Sequence, residues 1–208
     1  MNEKLLLLAF GPFGSWPVNS TEEVSAVAAV RLMGRGFDVE RRVLDTSLRA
    51  VRSLLDDLRT TPPLAVLACG LSAKRGSVQI ERFARNLADF RIPDIEGMQP
   101  AGQPVIEGAP ERRCSESADE RLLQAILDAG VVATLSEDAG TYICNALYFS
   151  LLDALTPLGS RALFLHLPPL PGLSPVGGVL DSIVSMPLEQ QVCALVCAAE
   201  MLVASAAQ

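Results

Sequence analysis

The chain has 208 residues, 50% of them hydrophobic and 20% charged, with a formal net charge of −7 and a pI of about 4.8. An acidic surface repels phosphate backbones and no basic stripe relieves it, so nucleic acid is excluded as a partner. Mean hydropathy is +0.32, yet no apolar run approaches the roughly 18 residues of a bilayer crossing, so no membrane partner is expected.

The elements alternate between strand and helix. "KLLLLAF" is a continuous apolar run of strand length. Its apolar stretch is short, an acid precedes the single lysine and no small-residue cleavage site follows, so it reads as a buried strand and not a leader. "TEEVSAVAAVRLMGRG" opens on Thr21 and two acids and closes on glycines, as a capped helix does. "FDVERRVL" predicts a strand, "SLRAVRSLLDDLR" a helix with a serine start, and "LAVLACG" a second buried strand. "SADERLLQAILDAG" predicts a helix capped by serine, "VVATL" a short strand, and "CNALYFSLLDAL" a helix halted by Pro157. "RALFLHL" is the last buried strand, and "PLEQQVCALVCAAEMLVASAA" a closing helix with Pro187 in its first turn. Such alternation implies one α/β domain over residues 1–208: an open three-layer α/β/α sandwich on a mainly parallel sheet, with sites at the carboxyl ends of strands. The stretch 70–113 breaks the pattern. It carries glycines, prolines and charges such as Lys74, Arg75 and Arg82, and reads as a long irregular insertion of functional interest.

Five cysteines, Cys69, Cys114, Cys144, Cys193 and Cys197, form no metal-binding spacing. An odd set of thiols without an export signal points to a reducing cytoplasm. "AGTYICNALYFSLL" places Cys144 in the first turn of a helix, where the peptide dipoles favour a thiolate. The one histidine, His166, ends a buried strand before a proline-rich loop, at the sheet edge where a site is expected. Together they suggest a thiol nucleophile with an imidazole partner. Most buried cysteines are inert and most strand-end histidines merely satisfied, and residue types alone do not select the orienting carboxylate or the substrate.

Four blocks resemble one family, pyroglutamyl peptidase I, or pyrrolidone-carboxylate peptidase: "AFGPFGSWPVNSTEEV", "VQIERFARNLADFRIPDIEGMQP", "DAGTYICNALYF" and "RALFLHLPPLP". They occur in the family's order along nearly the whole chain. The resemblance implies a cysteine peptidase without metal or cofactor that removes an N-terminal pyroglutamyl residue from small peptides. It also implies the open α/β/α fold and a homo-oligomer, commonly a tetramer. By motif match Cys144 is the nucleophile, His166 the general base and acid, and Glu81 the orienting carboxylate. Phe10, Phe13, Trp16, Ile92, Tyr142 and Ile143 match positions that form the lactam pocket. Asn19 either bonds the lactam or braces its loop. Arg91 either shapes the electrostatics of the site or forms a structural ion pair with Asp94 or Glu81. The Cys144 amide is a natural oxyanion donor, with the loop 11–14 as a source of a second.

The sequence also departs from that pattern. The family usually has glutamine after the third strand, where it helps bind the lactam; here the residue is Leu71. Ile80, Ile95 and Ala146 replace a usual proline, asparagine and histidine, and "HLPPLPGL" lacks the usual aromatic after its first proline. A lost buried polar contact costs about 1–3 kcal/mol, which bears on substrate choice more than on catalysis. Two alternatives therefore stand beside the peptidase: a related cysteine hydrolase of another small acyl-amide, and a catalytically silent binding protein on the same scaffold.

Overall fold

The computed structural model describes residues 4–73, 75–177 and 183–206; Lys74 lies outside them. Among the described residues, eight strands and five α-helices follow in the order β1 (Leu5–Phe10), α1 (Thr21–Gly34), β2 (Val39–Leu44), α2 (Leu48–Thr60), β3 (Ala65–Leu71), β4 (Val78–Glu81), β5 (Phe83–Arg85), β6 (Arg112–Cys114), α3 (Glu120–Asp128), β7 (Ala133–Ser136), α4 (Ile143–Leu155), β8 (Arg161–Leu167) and α5 (Leu188–Ala206). Six strands form one sheet in the order β2-β1-β3-β8-β4-β7. All neighbours run parallel except β4 and β8, which are antiparallel.

Helices cover both faces, as a sheet of continuous apolar strands requires. One core joins α1, α3 and α5 to Leu5, Leu7, Leu67, Ile80, Leu165 and their strand neighbours. The other joins α2 and α4 to Leu6, Leu8, Val66, Ala68 and Phe164. Within each strand, alternate positions thus face opposite sides of the sheet. This is the expected three-layer α/β/α arrangement.

Three local readings change. The stretch 70–113 is not only an insertion, because it contributes β4 to the interior of the main sheet and the hairpin of β5 and β6. The cap of α3 is Asp119, which accepts from the Leu122 amide at 2.9 Å, and not a serine upstream. Helix α5 is, by length and composition, apolar enough to span a bilayer, so one run does reach that length. Its apolar side packs in the core against α1, α3 and β8, which explains its composition.

The segment between β5 and β6 has little regular structure but is well tied. The Asn86 amide donates to the carbonyls of Ile106 and Ala109 at 2.8 and 3.0 Å. Asp94, buried, accepts the amides of Leu48, Glu96 and Met98 at 2.9–3.0 Å. Short polar side chains here supply the partners that a ladder would otherwise provide.

Candidate active site

Three strands and one helix start meet on the α4 side of the sheet. Across the parallel pair of β3 and β8, Gly70 stands opposite His166 and Ala68 opposite Phe164. Across the antiparallel pair, Gln79 stands opposite His166 and Ile80 opposite Leu165. Alternation then puts Gln79, Glu81, Phe164 and His166 on one face. Glu81 is the diagonal neighbour of His166, a separation that a long side chain bridges. It does so: His166 Nδ1 and Glu81 Oε1 are 2.8 Å apart.

His166 also hydrogen-bonds the Cys144 side chain, and with Nδ1 engaged by Glu81 the nitrogen left for the thiol is the ring's other one. Burial by itself would lower the imidazole pKa. The hydrogen bonds to Cys144 and Glu81 and their charges outweigh it and raise the pKa to about 10. Glu81 is 1% exposed, and among the described residues its Oε2 has no hydrogen-bond partner. The imidazolium is therefore the charge that compensates this buried carboxylate.

Cys144 is the second residue of α4. Its sulfur sits directly over the β3 backbone: a Cβ built on Gly70 would lie 2.8 Å from Sγ and 2.9 Å from Phe164 Cζ. No side chain caps the helix start, so the first-turn amides, which lack intrahelical partners, remain as donors beside the sulfur. Cys69, one strand position from Gly70, points into the opposite core, where burial pushes its thiol pKa up.

The helix start is anchored by its neighbour. Asn145, fully buried, donates to the carbonyls of Arg85 and Leu87 and accepts the Arg85 amide, all within 3.0 Å. Tyr148, one turn on, donates its hydroxyl to the Glu81 carbonyl at 2.8 Å. Both fix α4 relative to the strand that carries Glu81.

A cleft of about 360 Å³ opens beside His166 and Glu81, with Phe13, Trp16 and Leu71 in its wall. Phe13 and Trp16 face each other across a tight bridge, in which the Trp16 amide donates to the Phe13 carbonyl at 2.8 Å. The Tyr142 ring lies 6.4 Å from Phe13 and 4.7 Å from Phe90. Burial pushes its phenol pKa up to about 12, which keeps the hydroxyl a donor to the Pro93 carbonyl at 3.0 Å. Ile92 is exposed and reaches over Gly14 of the aromatic loop.

The remaining sequence-selected residues lie elsewhere. Phe10 and Ile143 are buried within the α2/α4 core. Asn19 spends its amide on the Gly11 carbonyl at 3.0 Å and its oxygen on Thr21, which braces the loop. Arg91 is exposed and, among the described residues, pairs with neither Asp94 nor Glu81. Sequence reasoning passed over Gly70, Asn145, Tyr148 and Gln79. Gly70 ends an apolar run, where a small residue is unremarkable, and the roles of the others depend on cross-strand register.

Comparison with known proteins bears on the chain as a whole. The family model for pyroglutamyl peptidase matches residues 3–205. The pyrrolidone-carboxylate peptidase of Erwinia tasmaniensis is 35% identical over 172 residues, which cover 81% of this chain and 79% of that protein. That of Aliivibrio fischeri is 31% identical, covering 97% and 93%. A mutant pyrrolidone carboxyl peptidase from Pyrococcus furiosus superposes with a TM-score of 0.87 at 27% identity, covering 97% of this chain and 99% of that one. The chain belongs to the pyroglutamyl peptidase family.

Proposed function

We propose that this protein is a cysteine exopeptidase that hydrolyses the amide after an N-terminal pyroglutamyl residue, with Cys144, His166 and Glu81 as its triad. The observation that carries the reading is the chain of contacts from Glu81 through His166 to a sulfur at a helix start. His166 takes the thiol proton at the nitrogen facing Cys144, while Glu81 holds the other nitrogen and stabilises the imidazolium. The sulfur attacks the pyroglutamyl carbonyl, forming the S–C bond and an oxyanion. The first-turn amides of α4, that of Cys144 among them, serve as the donors for this oxyanion. The C–N bond then breaks, and His166 returns its proton to the departing amine. His166 next deprotonates a water, which cleaves the thioester and releases pyroglutamate and the free thiol. Phe13, Trp16 and Tyr142 supply the flat apolar surface that a small uncharged lactam needs. No step calls for a metal or cofactor. A reducing cytoplasm suits the five free cysteines.

Leu71 in the cleft wall favours a second reading, hydrolysis of another small acyl-amide by the same three residues. Hydrolysis of a pyroglutamyl amide with a fluorescent leaving group separates the two. Turnover that vanishes in Cys144→Ser and His166→Ala supports the peptidase. An inactive wild type whose Cys144 still alkylates rapidly at neutral pH rejects the pyroglutamyl substrate and supports the second reading.

A further inference from the structure

With Glu81 on Nδ1, the proton that His166 gives to the leaving amine comes from the nitrogen facing Cys144. The residue after the scissile bond must therefore pass over His166, where the cleft opens. Arg75 stands in the wall of that cleft with His166, Glu81 and Gln79. Its guanidinium donates to Gln79 Oε1 at 3.0 Å, and Gln79 is the residue opposite His166 in the sheet.

Gln79 is 3% exposed and held in place: its amide donates to Ser77 Oγ at 2.7 Å, and its oxygen accepts from Thr134 Oγ1 at 3.1 Å. Next to Arg75, Gly76 lies close against the Val184 side chain, which a Cβ there would meet. Arg75 is thus positioned by a neutral partner that leaves its charge intact. Among the described residues no carboxylate lies within ion-pair distance of it, whereas ten other arginines have one. The other acid of the cleft wall, Asp138, accepts the Gly140 amide at 3.1 Å and faces Arg85 at 3.8 Å. In a chain of net charge −7, an arginine left without a counter-charge in the wall of the cleft that His166 lines is poised for an anion.

We propose that Arg75 is a specificity-determining residue on the leaving-group side of this site, binding a carboxylate carried by the residue that follows the scissile amide. The proposal rests on the peptidase reading for its substrate. The carboxylate is either the free C-terminus of a short peptide or an acidic side chain.

The test compares pyroglutamyl-alanine, its C-terminal amide and pyroglutamyl-glutamic acid amide, on wild type, Arg75→Gln and Arg75→Lys. The expected kcat/KM advantage of a carboxylate-bearing substrate over the alanine amide is about three- to tenfold, the size of a rim-exposed charge pair. It disappears in Arg75→Gln and partly returns in Arg75→Lys. An advantage confined to pyroglutamyl-alanine identifies the terminal carboxylate, and one confined to the glutamic acid amide identifies the side chain. An equal fall for all three substrates in Arg75→Gln, or no advantage in wild type, overturns the proposal. A second readout needs no pyroglutamyl substrate: the ratio of Cys144 alkylation by iodoacetate to that by iodoacetamide, measured on the Cys144 peptide by mass spectrometry. If nothing turns over but this ratio falls in Arg75→Gln, the peptidase reading fails and the anion site stands. If the ratio ignores Arg75, the anion site fails.

Discussion

Replacing Gly70 with alanine tests the geometry of the site at one atom. The added Cβ would lie 2.8 Å from Cys144 Sγ and 2.9 Å from Phe164 Cζ, closer than carbon and sulfur tolerate. Gly70 is not among the glycines with positive φ, so the cost is steric and not conformational. The Phe164 ring is fully buried between Tyr148, 5.6 Å away, and His166, 4.9 Å away, and has nowhere to go. The sulfur, at a partly exposed helix start, yields instead and leaves the imidazole. Overpacking of this kind costs about 1–3 kcal/mol, and displacement of a reacting atom by about 1 Å costs about 100-fold in rate. Urea unfolding should therefore show a stability loss of about 1–3 kcal/mol. Hydrolysis of the fluorogenic pyroglutamyl amide should fall by 10- to 100-fold, and Cys144 should alkylate more slowly. An alanine variant with wild-type midpoint and wild-type kcat/KM would refute the placement of the sulfur over β3.

His166 is the single histidine of the chain, so its imidazole gives one unambiguous NMR titration. Its midpoint should lie well above 6.5, near the value of about 10, and fall in both Cys144→Ser and Glu81→Gln; a wild-type midpoint at 6.5 contradicts the coupled pair. Because the folded-state pKa is raised, the pair's stabilisation is complete below about pH 6.5. It should fade as pH rises from there through about 10, read as the stability difference between wild type and His166→Gln. Glu81→Gln should lower kcat by roughly 10²–10⁴-fold with the fold intact, by analogy with other triads whose orienting acid is made neutral. Asn145→Ala removes three buried hydrogen bonds and should cost about 2–4 kcal/mol on chemical denaturation, whereas Tyr148→Phe, which strands one carbonyl, should cost about 1–2 kcal/mol. Equal losses in these two variants would argue against Asn145 as the main anchor of α4.

The sequence by itself determined the layered α/β/α class, because apolar runs of strand length and capped amphipathic helices are local signals. It also singled out Cys144 and His166, since a first-turn cysteine and a strand-end histidine are visible from element boundaries alone. Glu81 came only from a motif, and the reason is physical. β4 is four residues long, and only Val78 and Ile80 face the apolar core, while Gln79 and Glu81 face the site, so the stretch looks like a polar loop. Its strand identity comes from pairing with β8 and β7, partners far along the chain. That pairing makes Glu81 the diagonal neighbour of His166, sets Gln79 beside it to hold Arg75, and brings Gly70 under the sulfur. Register between distant strands decides each of these placements, and no local propensity encodes it.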